Sequence, residues 1–330
     1  MSYSNRIWMY GPVGLLLLAV VLFSVFWRVQ ADTLAARLDR ANGGEIVPGV
    51  VFAFAEKSIT GYPFRLDVVL SGVTFVHRAA EGEMAWRTEK LAIHFLSYNH
   101  DRYIFETTGL QSFARPGAPG APQRVVYVTP AIARASAVLN GDRIARFDLD
   151  LWQPQAKDAS LNADPNLTLN AQRAQLHLLE RSDNTVDVAM KIEEAQVGAG
   201  YRPALGSAIK LIELRGKLVQ GQTLDNLRLA QESVSDAIDQ WRQQGGTLAV
   251  ESLALDWAGM NTTLVGTISL DAEHRPAGAL VGAFDPAALV ASLSKGGLKL
   301  TGMGQGTLSL TFKDGDVRVG VNSGGVAPAR

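Results

Sequence analysis

From Ile7 to Trp27 the chain carries no charged residue, a run of 21 positions bounded by Arg6 and Arg28. About 20 apolar residues in a row are what a helix needs to cross the hydrocarbon core of a bilayer. Trp8 and Tyr10 stand near one end of the run and Trp27 at the other, where amphipathic rings favour the headgroup layer. The run predicts a transmembrane signal anchor over residues 7–27. The competing reading is a leader removed near Ala31, because Val29-Gln30-Ala31 offers small residues to a signal peptidase. The length of the run and its Phe26-Trp27 ending favour a retained anchor. Residues 1–6 are then a cytoplasmic tail, since long domains translocate largely regardless of flanking charge. The bulk of the chain is expected in the periplasm-like space outside a bacterial inner membrane.

Composition closes several other routes. The 330 residues carry a formal net charge of −1, so no basic footprint calls for nucleic acid as a partner. There is no cysteine, which removes thiolate nucleophiles, disulfides and Cys-based zinc sites.

Beyond the anchor, one order of elements recurs. Asp32 to Ala41 reads as a helix with Leu34, Leu38 and Ala41 on one face, stopped by Gly43-Gly44. Val51 to Ala55 then alternates up to a Gly61-Tyr62-Pro63 corner. Past the corner, Phe64, Leu66, Val68 and Leu70 share one face of a strand, and Arg65 and Asp67 the other. A second copy runs from a helix at Ser233 to Gln243, through Gly245-Gly246, to Leu253, Leu255 and Trp257, a turn near Gly259, and Leu264, Ile268 and Leu270. In the third, Asp285 caps a short helix with Pro286 at its first position and Leu289, Val290 and Leu293 on its face. Gly296-Gly297 ends it, Leu298 and Leu300 follow, and Leu308, Leu310 and Phe312 lead to an Asp314-Gly315 hairpin turn. Short strands account for most of the rest, at Phe147 to Trp152, Leu167 to Leu178 and Thr185 to Ile192, with loops over Arg115 to Gln123 and Pro154 to Asn166.

The expected fold is therefore mainly β (α+β). A transmembrane helix precedes long curved antiparallel sheets with a few short helices, in β-rich halves over residues 32–200 and 201–330 that run continuously into each other. The strands alternate, so each has one buried face. So few helices cannot cover sheets of this extent. The apolar face must close on itself or hold a ligand.

Catalytic constellations are missing from the pattern. His77, His94, His100, His177 and His274 show no helical metal-ligand spacing. Asp148 and Asp150 share a strand face, and alternation explains them as solvated positions; Glu193-Glu194 and the pair Asp314 and Asp316 offer no more. The glycines of Gly296 to Gly306 follow a helix instead of preceding one, so they do not form a phosphate cradle. No Gly-x-Ser-x-Gly elbow occurs. No catalytic residue, cofactor or metal ligand is assigned, and the chain is expected not to be an enzyme.

The anchor, a short helix ending in glycine and the motif Gly61-Tyr62-Pro63-Phe64-Arg65-Leu66 together resemble the DUF2125 proteins, an uncharacterised alphaproteobacterial envelope family. Trp86 to Phe95 and Leu308 to Gly320 are similar to that family as well. The resemblance brings no catalytic residue with it, and the motif itself reads as structural: Gly61 permits the corner, and Arg65 and Asp67 can pair on one strand face. Its layout is similar to that of AsmA-like envelope proteins, which join one anchor to a groove-forming sheet implicated in lipid traffic. The resemblance thus implies a lipid or other apolar ligand in a β-groove and a role in envelope homeostasis. The candidate lining is Phe64, Leu66, Val68, Leu70, Leu253, Leu255, Trp257, Ile268, Leu308 and Leu310. The alternatives are a membrane-tethered interaction module with a closed core and an unidentified protein partner, and an extracytoplasmic enzyme.

Overall fold

The computed structural model describes residues 4–79, 82–117, 122–141, 143–201, 206–224, 234–257, 260–284 and 306–323. The expected helix at 285–297 and most of the glycine-rich stretch after it lie outside these residues.

One helix, α1 (Ser4–Ala41), runs unbroken for 38 residues. The predicted anchor and the predicted Asp32 to Ala41 helix are thus a single rod, because no breaker separates Trp27 from Ala41. It carries one stretch apolar enough to cross a membrane. Gly43 ends it with a φ of +78°, the left-handed turn that glycine adopts without penalty.

Nineteen strands follow among the described residues, in one antiparallel sheet. They are β1 (Gly44–Val47), β2 (Val50–Ala53), β3 (Glu56–Thr60), β4 (Arg65–Ala79), β5 (Gly82–Leu96), β6 (Asn99–Arg115), β7 (Arg124–Thr129), β8 (Ile132–Asn140), β9 (Arg143–Trp152) and β10 (Gln155–Asp158). Then come β11 (Thr168–Asn170), β12 (Arg173–Glu180), β13 (Thr185–Val197) and β14 (Ala208–Val219). A second helix, α2 (Val234–Gln243), precedes β15 (Thr247–Trp257), β16 (Met260–Leu270), β17 (Pro276–Phe284), β18 (Gly306–Lys313) and β19 (Asp316–Ser323). Several strands are far longer than expected, 15 residues in β4 and β5 and 17 in β6. The loop expected over Pro154 to Asn166 contains β10, which is held between β7 and β11. The strand expected over Leu167 to Leu178 is broken at Ala171 and Gln172.

The pairings describe a meander in which several strands lie end to end. Strands β2 and β3 share β4, β7 and β8 share β6, and β11 and β12 share β13. The breaks between them face one another. Ala55, between β2 and β3, lies against Gly72 of β4. Gly72 and Glu89 both drop out of the β4–β5 register, and Gly109 and Leu110 drop out opposite Glu89. The line continues through Pro130-Ala131, Gln153-Pro154 and Ala171-Gln172 to Glu194 and Lys210. Positive φ at Gly72 (61°), Gly109 (82°), Gln153 (46°) and Glu194 (48°) marks the same line. A bulge bends its strand. The β5–β6 pairing bulges on this line and the other strands break or skip a pair there, so the aligned irregularities crease the sheet from β2 to β14. Backbone bonds stitch the crease: Ala131 N–H donates to Trp152 (2.9 Å), Gln153 N–H to Gln172 (2.9 Å) and Gln172 N–H to Glu193 (3.0 Å).

The apolar side chains collect in separate clusters. Phe52, Phe54, Val68, Leu70, Val73 and Leu91 form one under Leu34, Leu38 and Ala41 of α1. Val250, Met260, Leu264, Leu280 and Leu308 form another, within β15 to β18. Strands β13 and β14 pair from Thr185↔Val219 to Gln196↔Ala208, so the sheet passes without interruption from the first half to the second.

Candidate functional site

A cavity of about 710 Å³ lies along the inside of the crease, within the roughly 300–1,000 Å³ span of small-molecule sites. Its walls come from both sides of the crease. Leu70, Leu91, Ile93, Phe105, Thr107, Ala133 and Ala135 stand on one side, and Phe75, Trp86, Gln111, Phe113 and Val128 on the other. Phe147, Leu149 and Leu151 of β9 extend the wall, and Leu38, Ala41, Ile46 and Phe52 roof it. The period of two places Phe105 and Thr107, then Gln111 and Phe113 beyond the bulge, on one face of β6. Rings continue from strand to strand, with Phe52 to Phe75 at 4.8 Å, Phe75 to Trp86 at 5.3 Å and Trp86 to Phe113 at 6.4 Å.

Three polar side chains of this wall have partners. Trp86 Nε1–H donates to Gln111 Oε1 (3.0 Å), and Gln111 Nε2–H to Thr88 Oγ1 (2.9 Å). Arg134 pairs with Glu106. Apart from Thr107, what remains facing the space is hydrocarbon and aromatic ring.

A second cavity of about 190 Å³ adjoins the first and shares Leu38 and Ile93 with it. Gln30, Thr33, Leu34 and Arg37 of α1 face Leu66, Val68, Phe95, His100 and Tyr103 across it. It is the more polar of the two. Burial, reinforced by the negative charge of Asp101, raises the Tyr103 phenol above its ordinary pKa.

The roof is fastened at several levels. Trp27 Nε1–H donates to the Arg65 carbonyl (2.8 Å). Lys57 Nζ donates to the Ala35 carbonyl (3.0 Å) and pairs with Asp39. At the far end, Asn42 exchanges two bonds with the Phe54 backbone (3.1 and 2.9 Å). Trp27, Ala31 and Leu66 are buried together.

The sequence-predicted lining divides three ways. Leu66 and Val68 line the smaller cavity and Leu70 the larger. Leu253, Leu255, Ile268, Leu308 and Leu310 pack into the C-terminal cluster and reach neither cavity. Trp257 lies beside them on β15, its indole donating to the Gly206 carbonyl (2.9 Å). Phe64 does not share the face of Leu66. It belongs to the corner before β4, is 60% exposed, and its ring meets Phe23 of α1. The reason is that the strand begins only at Arg65, so its alternation does not extend back past Pro63. Phe75, Trp86, Phe105, Phe113 and Phe147 were missed. Aromatic residues at alternating positions on consecutive long strands were the signal.

The paired carboxylates belong to the outer face. Asp148 meets His177 (2.7 Å) and Arg146 (2.7 Å). Partial burial opposes its ionisation, but these bonds hold its pKa below the ordinary value. Asp150 receives two bonds from Arg173 (both 2.8 Å); they outweigh burial and, with the Trp152 indole, depress its pKa. Arg65 Nη2 donates to Asp67 (3.1 Å), which is buried and also bonded to His94 (2.6 Å). Among the described residues no three His, Asp or Glu side chains gather as a metal site requires.

A family model, described as an uncharacterized protein conserved in bacteria (DUF2125), matches residues 27–327. The matched stretch begins at Trp27, the residue with which α1 docks on the Arg65 carbonyl. No curated protein and no solved structure matches the chain.

Proposed function

The chain belongs to the DUF2125 family of bacterial proteins, and from that premise we propose that it is a membrane-anchored envelope protein holding an acyl-chain lipid in the crease of its sheet. One observation carries the reading. The cavity is walled by aromatic and aliphatic side chains, and its roof is the continuation of the apolar helix. A retained anchor fits the same geometry, because cleavage at Ala31 would remove Trp27 and Ala31 from a buried cluster. The expected position is the inner membrane, with the sheet on the periplasmic side. The role is binding without catalysis: Trp86, Gln111 and Arg134 are engaged in hydrogen bonds or an ion pair, and apart from Thr107 the rest of the lining is apolar. The layout of one anchor and a grooved sheet resembles AsmA-like envelope proteins, an analogy of architecture alone.

The test uses the full-length chain, purified from membranes in mild detergent. Lipid is extracted and counted by mass spectrometry, beside an Ala135→Phe variant that fills the cavity from β8. The expected result is one retained acyl lipid per chain, lost several-fold in the variant. Equal lipid in the two proteins would leave only annular lipid and remove the reading.

A further inference from the structure

The Gly61–Leu66 motif is spent on neither cavity as a whole; its exposed part meets α1. The Phe64 ring lies 5.7 Å from that of Phe23, and the Tyr62 ring 5.6 Å from that of Trp27, edge to face. The Tyr62 hydroxyl and the Ser24 hydroxyl lie 2.7 Å apart. Phe23 and Ser24 fall inside the charge-free run that ends at Trp27. A helix rises about 1.5 Å per residue, so Phe23 sits roughly 6 Å nearer the bilayer centre than Trp27. Whatever touches Phe23 shares its depth.

A second tip lies beside the first. Ser97, almost fully buried, donates from its backbone N–H to the Phe64 carbonyl (3.0 Å) and from its hydroxyl to the same oxygen (3.2 Å). Tyr98 follows it at the β5–β6 turn and is 62% exposed. Tyr62, at 52%, and Phe64 are also open. Two adjoining loops thus present three exposed aromatic side chains, of which Tyr62 and Phe64 touch the helix where it leaves the apolar run. Arg28 and Arg65 stand at the same end, paired with Asp32 and Asp67. Rings with one polar edge, flanked by cations, fit the boundary between headgroups and acyl chains.

The geometry points to a membrane-dipping foot: the Gly61–Leu66 corner and the Tyr98 turn enter the outer leaflet of the bilayer that holds α1. The partner is the lipid interface itself. This inference rests on the membrane-anchored reading above and adds to it a fixed orientation. The foot and α1 together attach the sheet at two points, so it cannot swing freely about a single helix. Gln30 and Thr33, at the smaller cavity, then stand about 5–9 Å above Trp27 along the helix axis. The smaller cavity becomes a side door at headgroup level, and an acyl chain passes from the leaflet toward the crease with little exposure to water.

The absence of cysteine makes the test direct. Full-length variants Phe64→Cys and Tyr98→Cys carry a nitroxide label and are reconstituted in phosphatidylethanolamine–phosphatidylglycerol vesicles. Power saturation compares contact with oxygen, which partitions into lipid, and with a water-soluble nickel chelate. Phe23→Cys is the reference inside the membrane, and Leu161→Cys, on an exposed turn, the reference in water. The expected oxygen-to-nickel ratio at Phe64 and Tyr98 is several-fold above that at Leu161 and close to that at Phe23. Aqueous ratios at Phe64 and Tyr98 with a lipid ratio at Phe23 overturn the foot and leave the anchor standing. An aqueous ratio at Phe23 overturns both. The two test positions lie on different loops, so failure of one variant to fold leaves the other to decide.

Discussion

Two regions of the same sheet treat their apolar face differently. In β4 to β9 Val68, Leu70 and Leu91 are buried under α1, but further along the same face Phe75, Trp86 and Phe105 stand around a cavity and are only half-buried although they face inward. In β15 to β18 the inward side chains bury one another, with Leu264 and Leu280 each at 1% exposure. Both regions begin with a helix ended by a left-handed glycine, Gly43 or Gly245, and both continue into a hairpin. Of these two regions only the first carries the aligned crease; farther along β14–β15 and in β15–β16, separate register shifts do not line up with it. The crease runs from the break between β2 and β3 to Lys210 of β14, which drops out of register where Ile209 and Leu211 pair with the adjacent residues Trp257 and Asp256. Bent strands hold their inward faces apart, and aromatic rings propped against each other across β2, β4, β5 and β6 keep the space open. Alternation decides which side chains face inward. Curvature decides whether they meet.

The comparison breaks most visibly under truncation. Leu264→Ala should destabilise the full chain by about 2–5 kcal/mol, the cost of opening a hole in a filled core. Leu149→Ala, in the cavity wall, should cost about 1 kcal/mol, since contacts already missing on one side cannot be lost. Urea unfolding of the two variants checks the ordering; equal costs would mean that the two regions are packed alike.

The crease itself is the next target. Gly109 takes a φ of +82°, and a Cβ there would collide with the Glu89 side chain. Gly109→Ala should cost roughly 1–3 kcal/mol in backbone strain and should reduce retained lipid, whereas a change confined to the C-terminal cluster should leave lipid unaltered. Stability and lipid content measured on one preparation separate these effects.

The smallest expected effect is electrostatic and lies on the outer face. The Asp150 carboxyl is held below its unfolded pKa by Arg173. Its contribution to stability is complete above the unfolded value of about 3.9 and is lost as pH falls through the lower folded value. Asp150→Asn should therefore lower the melting temperature at pH 7 and converge with the parent protein in acid. Lipid content should not change, because neither Asp150 nor Arg173 lines a cavity.

Much of this was legible in the residues. The charge-free run fixed the apolar part of α1. Asp314-Gly315 announced its hairpin, and both residues take the positive φ (55° and 83°) that such a turn needs. Alternation at Leu66, Val68 and Leu70 identified an inward face. It failed at Phe64, where the corner resets the phase, and it could not separate cavity from core, which is why Leu253 and Leu308 stood beside Leu70 as candidates. The crease was beyond reach for a different reason. Gly72, Glu89 and Gly109 lie in separate strands and Pro130 between two others, and only their mutual register turns single irregularities into a line. Register is a long-range property, and local patterns do not contain it.

The most direct measurement places a photo-crosslinking benzoylphenylalanine at Leu149, in the cavity wall, and in a second protein at Leu310, in the filled cluster, each in the full chain within living bacterial membranes. After irradiation, mass spectrometry reads what each position has captured. The account predicts a lipid adduct at position 149 and crosslinks only within the protein at position 310. Lipid captured equally at both positions, or at neither, would contradict the claim that the crease holds an acyl chain.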